Sequence, residues 1–346
     1  MPTVDARPGH RSAREVLAHS RTLLDPALRA AVDGLPESMR GIAGYHFGWW
    51  DEHGRTATAD AGKAVRPALV FLAAEAVGGD PLTALPAAVA VELVHNFTLL
   101  HDDVMDGDRT RRHRPTAWTV FGLGQAILAG DALLTLAYDV LAAAGHPKAQ
   151  EAARIMSAAV LAVQDGQAAD LSFEKRLDVG VEECLRMAEG KTGALLGCST
   201  ALGALFGGGD ADQVNHLRVF GERMGLSFQL ADDLLGIWGD PETTGKPVHS
   251  DLANRKKSLP VVAALAEVSP AAVELSAIYH SSTTLTPDEL AHTASLIETA
   301  GGRDWARNHA DDLLAQALDR LAAVDPLARP AAELASLAHL AARRDH

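Results

Sequence analysis

Apolar residues recur along this chain every three to four positions over long runs, the spacing of helices with one face turned inward. The period predicts helices over 69–77, 86–100, 124–144, 148–171, 181–205, 211–235, 258–268, 287–300 and 302–324. Turn-forming clusters fall between them: Gly78-Gly79-Asp80-Pro81, Gly145-His146-Pro147, Gly207-Gly208-Gly209-Asp210 and Asp240-Pro241. Strict alternation of apolar and polar residues never runs far enough to predict a strand. The expected fold class is all-α, with ten or more helices bundled around a core. No long linker divides the chain, so one domain is expected over 21–342. The polar residues 1–20 are expected to be loose, 54–63 reads as a loop, and Arg343–His346 is expected to fray.

Composition narrows the function classes. The chain has 346 residues, 47% apolar and 22% charged, a globular balance with ample length for a core. A formal net charge of -14 argues against a nucleic-acid-binding surface. An acidic protein that binds anions must gather positive charge locally or use a metal. Cys184 and Cys198 lie in apolar helical sequence without partners at zinc spacing, and read as small buried hydrophobes. The first twenty residues contain no apolar signal-peptide core, and no 18 apolar residues run uninterrupted. A cytoplasmic protein without a transmembrane helix is therefore expected.

Two helices end in acid. Asp102-Asp103-Val104-Met105-Asp106 follows a mostly apolar run, and Asp102 and Asp106 fall one turn apart on one helix face. That pairing is repulsive unless a cation lies between, and magnesium suits one or two carboxylates completed by substrate phosphate oxygens and water. The alternative is a solvated acidic helix end. Phe228-Gln229-Leu230-Ala231-Asp232-Asp233 echoes the first run, which suggests two acid walls for one site holding metal ions and a diphosphate. Five of the seven lysines lie at Gly62-Lys63, Gly190-Lys191-Thr192, Gly245-Lys246-Pro247 and Lys256-Lys257. Singly these are helix caps or turns; as a set they read as phosphate-binding charges. Arg109, Arg111, Arg112 and Arg114 follow the first acid motif, where a guanidinium offers phosphate a planar fork, or the aspartates an ion pair. His95, two turns before Asp102, reads either as a satisfied core histidine or as a site residue.

In this order and spacing the motifs resemble those of the trans-isoprenyl diphosphate synthases, the family of farnesyl and geranylgeranyl diphosphate synthases. The resemblance runs from about Gly62 to Pro260. It implies the type I isoprenoid synthase fold, one large helical bundle with a central active-site cavity. Gly62-Lys63-Ala64-Val65-Arg66-Pro67 matches the family's G-K-x-x-R-P element, and Asp102, Asp103 and Asp106 match its first DDxxD motif. By that resemblance Lys63, Arg66, His95 and Arg112 hold isopentenyl diphosphate, and Arg111 pairs with Arg112 at the substrate. Gly166-Gln167-Ala168-Ala169-Asp170-Leu171 matches G-Q-x-x-D-L, with Gln167 binding substrate. Lys191, Thr192 and Gln229 are implied to stabilise the nascent cation or orient the leaving group. Lys246 and Lys256 match later diphosphate-binding lysines, with Lys257 able to exchange roles with Lys256. The second motif departs from the family: it reads Asp232-Asp233-Leu234-Leu235-Gly236, without its third acid.

The implied reaction is magnesium-dependent, with three ions per site: the allylic diphosphate ionises, isopentenyl diphosphate attacks, and a proton is lost. Phe97 and Thr98, five and four residues before the first aspartate, resemble the pocket floor of geranylgeranyl synthases, which implies a C20 product. A homodimer is implied as well. Two other readings stay open: a terpene cyclase of the same fold, and an inactive subunit regulating an active synthase. The first has no need of an isopentenyl diphosphate site, and the second is expected to lose first-motif acids or the arginine pair.

Overall fold

A computed structural model describes residues 10–57, 59, 62–240, 248–281 and 283–342. Lys246 lies outside the described residues, as do the chain's first nine residues and last four. Helices dominate, as the periodicity predicts. In chain order they are α1 (Ala13–Asp33), α2 (Glu37–His46), α3 (Val65–Ala76), α4 (Leu85–Met105), α5 (Ala117–Phe121), α6 (Leu123–Ala143), α7 (Ala149–Phe173), α8 (Val181–Ala188), α9 (Ala194–Phe206) and α10 (Ala211–Trp238). Then come α11 (Ser250–Ala253), α12 (Leu259–Leu265), α13 (Pro270–His280), α14 (Pro287–Thr299), α15 (Gly302–Ala322) and α16 (Ala328–Ala342).

Packing divides the chain into two compact units. One comprises the residues up to Ala158 with Cys198–Arg218 and Val324–Leu334; the other comprises Ala159–Gly197, Val219–Ala323 and the residues from Ala335 on.

In the first unit α4 is the central helix, packed on α3 and most extensively on α6. It buries Ala87–Val94 without a gap, then Asn96, Phe97, Leu100 and Asp103. A helix apolar on every side is stable only when surrounded. With its preceding 3₁₀ turn (Pro81–Met105), α4 is long and apolar enough to cross a membrane by length and composition, as is α6. Both reach that length and mean hydropathy although no 18 apolar residues run uninterrupted, because isolated polar residues break a run without lowering its average much. Of the apolar window, 61% is buried within the protein in α4 but 33% in α6.

The N-terminal expectation is also corrected. α1 begins at Ala13 rather than after residue 20. A capping box starts it: the Ser12 hydroxyl accepts from the Glu15 backbone N–H and the Glu15 carboxylate accepts from the Ser12 N–H at 2.8 Å. Val16, Ser20, Leu24, Leu28 and Val32, four residues apart, form its buried stripe. Among the described residues the only strands are a two-residue antiparallel pair, Thr110–Arg111 with Arg114–Pro115.

Chain-distant residues are tied together in this unit by Glu333, whose side chain is fully buried. Arg11 donates from Nε and Nη2 to its two oxygens at 3.0 and 2.8 Å, and Arg329 donates from Nη1 at 2.9 Å. Burial alone raises the carboxyl pKa; hydrogen bonds from Arg11 and the charges of Arg11 and Arg329 outweigh it and hold it below the usual range. A carboxyl with a depressed folded pKa contributes stability above its unfolded pKa and loses it as pH falls through the folded value. Glu333→Gln is therefore expected to cost about 2 kcal/mol near neutral pH. The difference in thermal unfolding midpoint from wild type should shrink below about pH 4, followed by circular dichroism. A pH-independent difference would remove the charge from the explanation.

In the second unit α12 packs on α15 and α8. Its core joins Phe173, Cys184, Leu226, Leu230, Leu259, Val262, Ala306, Ala310 and Leu313. Both cysteines are buried in their own surroundings, and burial pushes both thiols up, as small apolar residues require.

Candidate active site

Each unit carries one acid motif and its own cations. In the first, the end of α4 presents Asp102 and Asp106 on one face, Asp102 half-buried and Asp106 exposed. Asp103, about 100° round the helix, is 1% exposed. Desolvation pushes its carboxyl up to about 6, against the pull of Arg111, whose Nε donates to Oδ1 at 2.7 Å.

Arg111 is aimed by the small hairpin. Arg112 and His113 form its two-residue turn with φ of 50° and 61°. Turns with two positive φ values favour Asn-Gly, so arginine and histidine there are held against their own preference. Arg114 does the holding. It donates to the carbonyls of Tyr45 at 2.9 Å and Trp50 at 3.2 Å and lies 4.3 Å from the Tyr45 ring centroid. The Tyr45 hydroxyl donates in turn to the Pro115 carbonyl at 2.8 Å. Gly62, at φ +84°, brings its backbone against Arg112, where any Cβ would lie 2.6 Å from Nη2. The Gly-Lys pair thus has a packing reason for its glycine, and Lys63 beside it is exposed.

The interior of this cluster is cationic. Arg66, on the first turn of α3, is pushed down to about 10 by burial, with Glu92 opposing, and stays charged at neutral pH. Burial and the nearby arginines hold His95 far below its ordinary pKa and bring His46 to about 3, so both rings are neutral. Glu92 is 4% exposed and raised by burial against the pull of Arg66; Asn96 donates to its carboxylate at 3.2 Å. Arg66 Nε and His46 Nε2 are buried without a hydrogen-bond partner, which marks a place for an anion among these groups. A cavity lined by Tyr45, His46, Asp103, Arg111, Arg112 and Thr116 opens beside them. Phe97 is 4% exposed, its ring edge-on to His101 at 4.7 Å, and Thr98 donates to the His95 carbonyl at 2.7 Å.

The second unit has a comparable arrangement. Asp232 is half-buried and Asp233 is 3% exposed. Asp233 Oδ1 accepts from Gln229 Nε2 at 2.9 Å and Oδ2 from the Leu259 backbone N–H at 3.0 Å. Burial still raises its carboxyl, with Lys256 opposing. Lys256 Nζ stands 3.6 Å from Asp233 and 3.7 Å from Asp251. Burial lowers the lysine, but Asp233, Asp251, Asp170 and Asp232 outweigh it and raise its pKa. Lys257 instead donates to the Glu174 carbonyl at 3.2 Å. Of the two lysines, Lys256 is therefore the one at the acid motif.

Here the expected continuous helix over 181–205 is broken. Glu189–Gly193 forms a π-helical turn between α8 and α9, carrying Lys191 and Thr192. Such turns occur often at functional sites. Lys191 pairs with Asp170 at 2.5 Å, and the Thr192 hydroxyl donates to Gln229 Oε1 at 2.7 Å. Gln167 is buried at 6%, beside Gly166 on α7. A chain of hydrogen bonds thus runs Thr192–Gln229–Asp233. His46, Glu92 and Asp251 were not singled out from the sequence; a lone histidine, a glutamate in an apolar run and an aspartate in a polar stretch carry no spacing signal.

No group of three or more His, Cys, Asp or Glu side chains forms a metal cage among the described residues. The donors present, Asp102 with Asp106 in the first unit and Asp232 in the second, each suit an ion that takes its remaining ligands from substrate and water.

An all-α protein with helix-end acid motifs beside buried cations is a class suited to polyanionic substrates. The chain belongs to the polyprenyl synthetase family, whose model matches residues 48–297, and is a transferase with the all-α isoprenoid synthase fold. It is 49% identical to a (2E,6E)-farnesyl diphosphate synthase of Mycobacterium tuberculosis, over 98% of this chain and 95% of that one. It is 45% identical to a geranylgeranyl diphosphate synthase of the same organism, over 96% and 94%. The crystal structure of a polyprenyl synthetase from Streptomyces coelicolor A3(2) superposes with a TM-score of 0.92 at 49% identity, covering 96% of this chain and 100% of that one.

Gly166 lets α7 touch the π-turn backbone to backbone: a Cβ there would lie 2.4 Å from the Lys191 nitrogen. Backbone cannot rotate aside as a side chain does. Gly166→Ala is expected to destabilise the protein by about 1–3 kcal/mol, read as a lower thermal midpoint. An unchanged midpoint would mean that the turn yields freely.

Proposed function

We propose that the protein condenses isopentenyl diphosphate with an allylic diphosphate, head to tail, giving a longer trans-isoprenyl diphosphate of C20. The carrying observation is the pocket of Arg66, Arg111 and Arg112 around the neutral rings of His46 and His95, formed beside an acid motif in a chain of net charge -14. That pocket suits isopentenyl diphosphate, with Lys63 at its exposed edge. Arginine forks and a lysine point charge bind the phosphates, while neutral histidines donate hydrogen bonds without adding charge to desolvate.

Asp102, Asp106 and Asp232 are the carboxylates to hold magnesium, and Asp103 and Asp233 are anchored to their own cations. Bound magnesium supplies charge neutralisation to the leaving diphosphate. Lys256, and Lys246 by resemblance, add positive charge for that group. The C–O bond of the allylic diphosphate breaks, and the double bond of isopentenyl diphosphate donates its electron pair to the allylic cation. Loss of a proton to the departing diphosphate then restores an alkene. Thr192, with its proton on Gln229, keeps an oxygen acceptor for developing positive charge, and Lys191 orients the leaving group. The rest is positioning and exclusion of water. A cyclase does not need the isopentenyl diphosphate pocket, and an inactive subunit has no reason to keep both acid pairs and Arg111-Arg112.

The C20 product rests on Phe97 and Thr98. The relatives' names include both farnesyl and geranylgeranyl products, and Phe97 is buried as a pocket floor has to be. Incubation with isopentenyl diphosphate, magnesium and dimethylallyl, geranyl or farnesyl diphosphate should yield C20 diphosphate by mass spectrometry, and none once magnesium is chelated. Phe97→Ala should shift the distribution to longer chains. A C15 end product in the wild type, or no shift in the variant, would remove Phe97 as the floor. No elongation with any primer would refute the synthase reading.

A homodimer is proposed on the resemblance, supported by the apolar face that α6 leaves exposed, including Leu123 and Leu128. Light scattering should give twice the chain mass; the mass of one chain would refute it.

A further inference from the structure

Lys63 stands between two residues in the left-handed backbone region. Gly62 has φ +84°, and Ala64 has φ 50° with ψ 43°. Ala64 is the N-cap of α3 and makes no side-chain cap, so nothing in its own chemistry favours that conformation. A residue with a Cβ is kept there only where its surroundings over-determine it. On one side the surroundings are Arg112, packed so close that a Cβ on Gly62 would lie 2.6 Å from its Nη2 and 2.9 Å from its Cζ.

The other hold comes from α1. Arg21 Nη2 donates to the Gly62 carbonyl, 41 residues further along the chain. That carbonyl belongs to the planar peptide joining Gly62 to Lys63, so fixing it fixes the plane from which Lys63 leaves the turn. Arg21 is itself aimed. It flanks the buried stripe of α1, which packs on α3 and α4, and its Nη1 stands 3.3 Å from Asp25 Oδ1 one helical turn on. An exposed pair of that kind is worth little by itself, and it leaves the second nitrogen for the distant carbonyl. The charge of Arg21 also reaches the cationic pocket: burial raises the Glu92 carboxyl, and Arg66, Asn96, Arg21 and Arg112 pull it back. All of these residues belong to the first unit.

We propose that Arg21 is a positioning residue for isopentenyl diphosphate: it clamps the Gly62–Lys63 peptide from α1 and so fixes where the Lys63 ammonium meets the diphosphate beside Arg112. The inference rests on the isopentenyl diphosphate pocket of the reading above. Arg21 touches no substrate in this account; it acts through Lys63. The allylic substrate, held at the acid motifs, does not depend on the clamp.

The test is steady-state condensation by full-length protein with Mg2+, varying isopentenyl diphosphate and geranyl diphosphate in turn, beside calorimetric titration of isopentenyl diphosphate. Arg21→Met keeps the apolar stem and removes the donors. It is expected to keep the wild-type circular dichroism spectrum and to raise KM for isopentenyl diphosphate about tenfold, the loss of about 1.4 kcal/mol that one charge-assisted hydrogen bond gives. KM for geranyl diphosphate should stay at the wild-type value. Arg21→Lys, a donor of shorter reach, should recover part of the loss. In a Lys63→Ala background Arg21→Met should add about twofold or less, because the charge that the clamp aims is gone. An unchanged KM, an equal rise in both KM values, or the full tenfold in the K63A background would overturn the proposal and leave the synthase reading intact. Should R21M lose the folded spectrum, Arg21→Gln carries the same comparison. Wild-type protein that elongates no primer would overturn the synthase reading; the tenfold loss is then read in the titration, and absence of any isopentenyl diphosphate binding there would overturn the clamp as well.

Discussion

A carboxylate taken out of water must be given a cation or be driven to hold its proton, and the ends of α4 and α10 are organised around that constraint. Asp103 and Asp233 are nearly inaccessible, and Arg111 and Lys256 are delivered to them from outside their own helices. Delivering Arg111 needs a hairpin whose turn residues adopt left-handed backbone. Delivering Lys256 needs the turn at His249 and Arg255. Removing either cation would leave a buried charge uncompensated, which is far costlier than losing a surface pair. The second aspartate of each pair is thus an internal anchor.

The same constraint accounts for the neutral histidines. His95 and His46 lie among three arginines, where a fourth or fifth positive charge would be repelled and poorly hydrated, so both rings give up their protons. Glu92 offsets part of the arginine charge. What results is a pocket rich in donors whose net charge is limited, which is better matched to a diphosphate than a ring of five cations would be.

Much of this was legible in the sequence, for a physical reason. Acid pairs at the ends of apolar helices, and lysines and arginines gathered in an acidic chain, are local patterns whose cost is visible without a fold. Asp102, Asp106, Arg112 and Lys191 could be picked out on that basis, His95 was left open by it, and the resemblance added Arg66 and Gln167. What escaped depends on contacts between distant segments. Glu92 gains its meaning from Arg66, and His46 from an arginine turn more than sixty residues away. The π-turn at Lys191 is invisible to a 3.6-residue period because its flanks keep the apolar spacing. α1 is different: its capping box and four-residue stripe were present in the sequence, and the Pro and Arg content of the first residues obscured them.

Gly236 shows how a missing residue can be informative. Read along the chain, it is a lost acid and weakens the second motif. Read in space, it is the only residue type that leaves room for Asp251, because every other side chain begins with the Cβ that would collide. In this structure that space holds the Asp251 carboxylate, which also stands 3.7 Å from Lys256 Nζ. Spacing along one helix therefore gives an incomplete account of the charge around Lys256, which faces Asp233 from α10 and Asp251 from a later segment.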